Sequence, residues 1–380
     1  MYKKSVYVLV LTVAGMLALG IVILFSTSAF AQDSHGDPVY FVKRQAMWLV
    51  VGVFVCIGAS LLDYHFWQKT WWLWFGVAVI LLVLCFVPPI GMKINGSHRW
   101  VNLVVMSFQP SELAKYAVVF FLAYWFSKYE KRSGEFWKGF ALPAMIVTVP
   151  LILIALEEDL GTTALIGCTM FIVMFVAGTS LFYISPVAFL GVGGILYAAI
   201  NMQERLGRLM AFMDLEKFKQ GAGLQQYQAK IAFGSGGLTG LGLGDGRQKM
   251  LYLPFSHTDF ILPMIGEELG LRATLLIVTG YLVIILCGAL ISMLARDRFG
   301  TLLGFGIVIL LSIQAGMNIG VTTGMMPNKG LPLPFISYGG SNLVICLLGV
   351  GILINIYLQG VGESRTKTTT RLRARMTPRI

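Results

Sequence analysis

The sequence predicts an all-α, polytopic membrane protein with about ten transmembrane helices and a large extracytoplasmic loop between helices 7 and 8. Three observations carry this. Hydrophobic residues make up 57% of the 380-residue chain and charged residues 12%, whereas a soluble domain holds about a quarter charged residues. Mean hydropathy is +0.77. The apolar residues come in runs long enough to cross ~30 Å of hydrocarbon, where a membrane β-barrel would alternate polar and apolar positions.

The runs lie near 5–27, 46–62, 71–88, 110–127, 140–156, 162–180, 182–200, 260–294, 301–322 and 341–360. The first follows Lys3 and Lys4 and ends near Ala29-Phe30-Ala31, in the manner of a signal peptide. Val6 to Phe25 is longer than a signal core and more spans follow, so it reads as a retained helix. The 260–294 run is long for one crossing, which predicts tilt or projection beyond the bilayer. Residues 1–360 form one integral membrane domain and 361–380 a basic tail.

That tail holds Arg365, Lys367, Arg371, Arg373, Arg375 and Arg379 against Glu363, and so supplies much of the net charge of +11. It reads as a cytoplasmic anchor beside anionic lipid, not as a nucleic-acid site. With both termini cytoplasmic, Lys69, Lys128, Lys131, Arg132, Arg296 and Arg298 fall inside. Segments 33–44, 93–99, 157–159, 201–259 and 323–340 then face outward. Arg205, Arg208 and Arg247 oppose the positive-inside bias, which suggests an anionic ligand. Trp67, Trp71, Trp72 and Trp74 mark one membrane boundary. All five cysteines lie in apolar runs without metal or disulfide spacing and read as small core residues.

Polar chemistry gathers in five places. In Gln109-Pro110-Ser111-Glu112-Leu113-Ala114-Lys115, the pair Glu112 and Lys115 stands on one face of a helix start. Such a pair faces a bundle interior or wet cavity, either locking two spans together or touching ligand. Glu157-Glu158-Asp159 precedes a span, where acids favour the helix N-terminus, so capping is the main reading and metal or substrate contact the minor one. The 201–259 loop carries Arg205, Arg208, Gln225, Gln228, a run of glycines, Arg247 and Lys249. No nucleotide motif fits those glycines, which read as close packing more than as a phosphate cradle.

His257-Thr258-Asp259 delivers Asp259 to the mouth of a helix that must begin near Phe260, because Pro263 is tolerated only in a first turn. Asp259 reads equally as an N-cap or as a carboxylate base at the water–membrane boundary. Glu267 and Glu268 lie deeper in that helix and imply partners or a cavity. Finally, 327–341 contains three prolines and three glycines. It cannot be a regular helix and must line a cavity as a re-entrant wall, with Ser337 on it.

Together these segments resemble the SEDS family, the shape, elongation, division and sporulation proteins. The resemblance rests on the 109–115 motif, Glu158-Asp159-Leu160-Gly161-Thr162, Ala232-Phe233-Gly234-Ser235-Gly236-Gly237, His257-Thr258-Asp259-Phe260, Gly266-Glu267-Glu268-Leu269-Gly270 and the 327–341 loop. Lys329-Gly330-Leu331-Pro332 is more similar to the division branch (FtsW) than to the elongation branch (RodA). The resemblance implies a SEDS-type fold in the cytoplasmic (inner) membrane and an inverting glycosyltransferase. Its substrate would be lipid II, the undecaprenyl-pyrophosphate-linked disaccharide pentapeptide. It also implies a class B penicillin-binding protein and other divisome membrane proteins as partners, and no nucleic acid.

The family's essential aspartate falls on Asp259, and Glu112 and Lys115 match its ion pair. Arg205, Arg208, Gln228, Arg247, Lys249, His257 and Ser337 are the substrate-binding candidates. No cofactor is assigned; a divalent cation, Mg or Mn, is the alternative to basic residues for screening the pyrophosphate. The chain departs from the family at Phe255, Pro263, Leu215, Leu224 and Lys230. A lipid II flippase and a non-catalytic divisome scaffold are the competing readings, in that order, and an elongation-type polymerase is the alternative within the enzyme reading.

Overall fold

Each of the ten apolar runs forms a helix in the computed structural model, which describes residues 4–28, 37, 39–88, 90–94, 97–102, 107–250, 253–254 and 256–376. Lys3, Ala29-Phe30-Ala31, Phe255 and Arg379 lie outside the described residues. In chain order the first seven helices are α1 (Ser5–Ser28), α2 (Tyr40–Leu61), α3 (His65–Leu84), α4 (Pro110–Lys128), α5 (Leu142–Leu156), α6 (Leu160–Val176) and α7 (Leu181–Ile200). The 201–259 loop adds α8 (Gln203–Met213) and α9 (Leu224–Gly236); α10 (Ile261–Met293), α11 (Arg298–Thr322) and α12 (Gly340–Met376) complete the bundle.

Seven helices among the described residues are long and apolar enough to cross a membrane, and α6 and α7 are shorter apolar helices. The tenth, α4, is less apolar because it opens on Pro110, Glu112 and Lys115, and it sits in the middle. Pro110 starts it at a position where the missing N–H costs nothing, and almost every later residue is buried. It packs on α3, α6, α11 and α12, which enclose it together with its Glu112–Lys115 pair. Phe189, Leu190 and Tyr197 of α7 point outward instead, as lipid-facing side chains do.

One element was not expected. Residues β1 (Gly91–Ile94), β2 (Ser97–Asn102) and β3 (Ser107–Phe108) form a three-stranded antiparallel sheet. The sheet buries Val101 and sends Arg99 across to the α5–α6 turn. The membrane body remains all-α.

The long run at 260–294 is one element broken at Gly270, whose backbone (φ 75, ψ −175) lies where only glycine rests comfortably. The break strips four groups of their helical partners, and the glycine-rich loop supplies all four. Leu241 and Gly242 donate to the Glu267 and Glu268 carbonyls, while Leu271 and Arg272 donate to the Gly237 and Leu238 carbonyls. A side chain on Gly240 would overlap the Glu268 carbonyl. The glycines therefore serve close packing. The neighbouring side chains fix the same loop: Lys249 donates to Glu268 (2.6 Å), the Gly244 carbonyl (2.6 Å) and Ser26 of α1 (2.7 Å). The Glu267 carboxylate accepts from the Arg247 and Gln248 backbone N–H groups.

Candidate active site

Asp259 sits in the turn that leads into α10, and three elements hold that turn. Asn318 of α11 donates to the Asp259 carbonyl (2.8 Å) and to the Leu331 carbonyl (2.7 Å). The buried Ser337 hydroxyl donates to the Thr258 carbonyl (2.6 Å), and Tyr338 N–H donates to the His257 carbonyl (3.0 Å). Gln45 of α2 then clasps the Ser337 carbonyl and the Gly339 N–H.

The 327–339 loop is the irregular, buried wall that its prolines demand. Its carbonyls find donors from neighbouring helices: Gln314 serves Pro332 and Tyr281 serves Pro334. Irregular backbone at this depth survives only when such groups are satisfied. Gly330 comes so close that a Cβ there would lie 2.7 Å from Asp259 Oδ2.

The helix cap of α10 is Phe260, with no side chain capping it. Asp259 is thus not an N-cap, and its half-buried carboxylate is left for chemistry. Burial raises it to about 6; Arg99 and Arg208 pull it down, and Asp159 pushes it further up. A carboxyl near 6 is ionised at neutral pH yet basic enough to take a proton.

Arg99 and Arg208 act on this group directly, and Arg205 and Lys329 belong to the same charge cluster. Arg99 of β2 and Arg205 of α8 both donate to the Glu158 carbonyl, at 3.2 and 3.0 Å. Arg99 also lies 3.9 Å from Asp159, whose carboxylate caps α6 through the Thr162 N–H and hydroxyl. Arg208 lies one turn beyond Arg205 and acts on both Asp259 and Lys329. Lys329 is drawn down to about 8 by burial first and then by Arg205 and Arg208, with Asp159 opposing and Arg99 adding to the fall. A lysine held beside three arginines is short of an anion. The helix α8 is strongly amphipathic, exposing Met210 and Phe212 while carrying its arginines to this cluster.

The structure therefore brings Asp259, Arg205 and Arg208 together and separates the other candidates from them. Lys249, expected to face substrate, is buried in its pair with Glu268, because a cation at that depth needs an anion and finds one nineteen residues on. Arg247 is exposed, and its N–H is spent on Glu267. Ser337 is buried and bonded to backbone on both sides, so it positions the Asp259 turn instead of meeting a ligand. The His257 ring stacks on Phe41 at 4.4 Å. Gln228 stands half-buried on α9, where Gln225, one turn earlier, accepts from Asn328.

Glu112 and Lys115 form a sealed 2.8 Å ion pair. Asn342 of α12 donates to Glu112 and Lys115 donates to Gln314 of α11, so the pair is a junction of three helices. The members that sequence reasoning missed are Arg99 and Lys329; Asp159 caps α6 as its place before a span predicted. Arg99 and Lys329 carry the same signal that marked Arg205: a cation on the side where the positive-inside bias forbids it.

Comparison with known proteins places these features in context. Residues 7–360 match the cell cycle protein family model that covers FtsW, RodA and SpoVE. "Probable peptidoglycan glycosyltransferase FtsW" of Trichlorobacter lovleyi is 40% identical over 354 residues, 92% of each chain. The protein of the same name in Geobacter metallireducens is 38% identical over 92% of this chain and 93% of its own. Stage V sporulation protein E of Bacillus subtilis is 35% identical over 90% and 93%. Among solved structures, a chain from "Structural coordination of polymerization and crosslinking by a peptidoglycan synthase complex" superposes with a TM-score of 0.75 at 26% identity, over 93% of this chain and 97% of that one. Rod shape determining protein RodA of Thermus thermophilus gives 0.68 at 26% identity, over 92% and 96%.

Proposed function

The chain belongs to the cell cycle protein family of FtsW, RodA and SpoVE, and we propose that Asp259 is the general base of its peptidoglycan glycosyltransferase reaction. The enzyme polymerises lipid II into glycan strands, and we assign it to the septal wall because FtsW is the name that the relatives in Geobacter metallireducens and Trichlorobacter lovleyi share. Asp259 accepts the proton of the acceptor GlcNAc 4-hydroxyl as that oxygen attacks the anomeric carbon of the donor MurNAc. The bond to undecaprenyl pyrophosphate breaks, and the centre inverts from α to β. One positioned base suffices because pyrophosphate leaves readily once its charge is screened.

The observation that carries this reading is a carboxyl raised to about 6 on which Arg99 and Arg208 act, in one charge cluster with Arg205 and Lys329. Those cations are suited to the diphosphate. We assign the screening to these four cations, with a divalent ion held largely by the diphosphate's own oxygens as the alternative. Orientation follows from the charge pattern: the Asp259 end faces outward from the cytoplasmic membrane, and both termini lie in the cytoplasm. The peptidoglycan synthase complex among the structural relatives supports a class B penicillin-binding protein as partner, with other divisome proteins around them.

The test is lipid II polymerisation in detergent by the full chain with its cognate penicillin-binding protein. Polymer made there separates polymerase from flippase, since flipping has no meaning without a bilayer. Asp259→Ala should lose activity by at least about a hundredfold; full activity in that variant would sink the base assignment.

A further inference from the structure

Glu157 closes α5 beside the charge cluster, yet the reaction above makes no use of it. Its side chain is 1% exposed, and both carboxyl oxygens are sealed from solvent with the Cys85 thiol as the hydrogen-bonding group that reaches them. Three groups face it: the Cys85 thiol from the end of α3, Asp159 from the start of α6 and Arg99 from β2. Arg99 is committed elsewhere, to the Glu158 carbonyl and the Asp159 carboxylate, while its own Nε–H is buried and unsatisfied. An anion buried with only a thiol, a weak donor, to serve it is costly enough that the group takes up a proton instead. Burial lifts Glu157 to about 8, with the Cys85 contact lowering it, Asp159 raising it and Arg99 lowering it.

We propose that Glu157 is a positioning residue held as a neutral carboxylic acid, which leaves the Arg99 guanidinium to Asp159 and to the diphosphate beside Asp259. Once ionised, the same side chain is an uncompensated buried anion next to an arginine with an idle N–H. The two close on each other, and Arg99 is withdrawn from the site. The inference rests on the glycosyltransferase reading, and deepens it by assigning the residue that sets where Arg99 points.

The test compares wild type with Glu157→Gln, which has the same shape and no charge at any pH, in lipid II polymerisation from pH 6 to 9.5 with the partner present. Two groups near 8, Glu157 and Lys329, should make log kcat/KM of the wild type fall with a slope approaching two, chiefly through KM. The variant should match wild type at pH 7 and fall with a slope of one. Superimposable alkaline limbs, or an inactive variant with a native melting temperature, would overturn the proposal. A readout independent of activity accompanies it. A raised acid weakens the fold as pH climbs from its unfolded value to its folded one, so the variant's melting-temperature advantage should grow between pH 5 and 8. Coincident melting curves would refute the neutral acid even in a preparation that makes no polymer, an outcome that by itself counts against the enzyme reading.

Discussion

Asp259 gains its basicity from lost solvation, and that gain has a stability cost. Its carboxyl stands near 6 in the folded protein against an unfolded value near 3.9. The sign follows from linkage: stability is full below about 4, declines through the interval and stays low above 6. Asp259→Asn should therefore abolish polymerisation and raise stability at pH 7–8 by up to about 2 kcal/mol, read as a higher melting temperature in detergent. An inactive variant with no gain would mean the carboxylate is better solvated than its burial implies. The same titration predicts that wild-type kcat/KM drops about tenfold per pH unit below 6.

Gly330 tests the placement of this base from the other side. A methyl at 2.7 Å from Asp259 Oδ2 must push the carboxylate aside. Gly330→Ala should lower kcat by about tenfold to a hundredfold with little change in KM. An unchanged kcat would show that the loop yields instead. The place of Asp259 at the mouth of α10 was legible because His257-Thr258-Asp259 precedes a helix whose start Pro263 fixes, whereas the choice of base over cap came from the family resemblance. Lys329 was not: it sits seventy residues further on and joins the site only through the fold. Lys249 misled because its neighbours Arg247 and the glycines are polar, while its true partner, Glu268, lies across a turn.

At the scale of elements, the break in α10 matters most. The hydropathy of 260–294 announces length and says nothing of a kink, since a lone glycine in an apolar run is equally a packing residue. Only the loop that fills the four freed backbone groups reveals it. Gly270→Ala would place a side chain at φ 75 and ψ −175 and press it on the Leu238–Gly240 backbone. The variant should lose about 1–3 kcal/mol and expose residues 237–249 to protease. Native protease resistance would show that the glycine-rich loop does not depend on the break at Gly270. The small sheet escaped notice for a related reason: strands of four, six and two residues carry little alternation for a reader to count.

At the scale of the whole molecule, charge and burial sort the two ends of the bundle. The end opposite Asp259 joins its turns through Arg298 to Glu130 (3.1 Å) and to the Ala177 carbonyl, Tyr64 to Asp297, and Arg296 to the Gln359 carbonyl. It also collects Lys128, Lys131, Arg132 and Lys138 in one short connection. At the Asp259 end, Lys249 is neutralised by Glu268, and Arg99 and Arg205 lean on acids and carbonyls of the α5–α6 turn. What remains for the positive-inside bias is the opposite end, which this orientation puts in the cytoplasm. Cysteine introduced at exposed Lys219 should react with a membrane-impermeant maleimide in intact cells, and cysteine at exposed Lys131 only after permeabilisation. The reverse pattern would place Asp259 in the cytoplasm, where undecaprenyl-linked donors are assembled and not polymerised, and would overturn the enzyme reading along with the orientation.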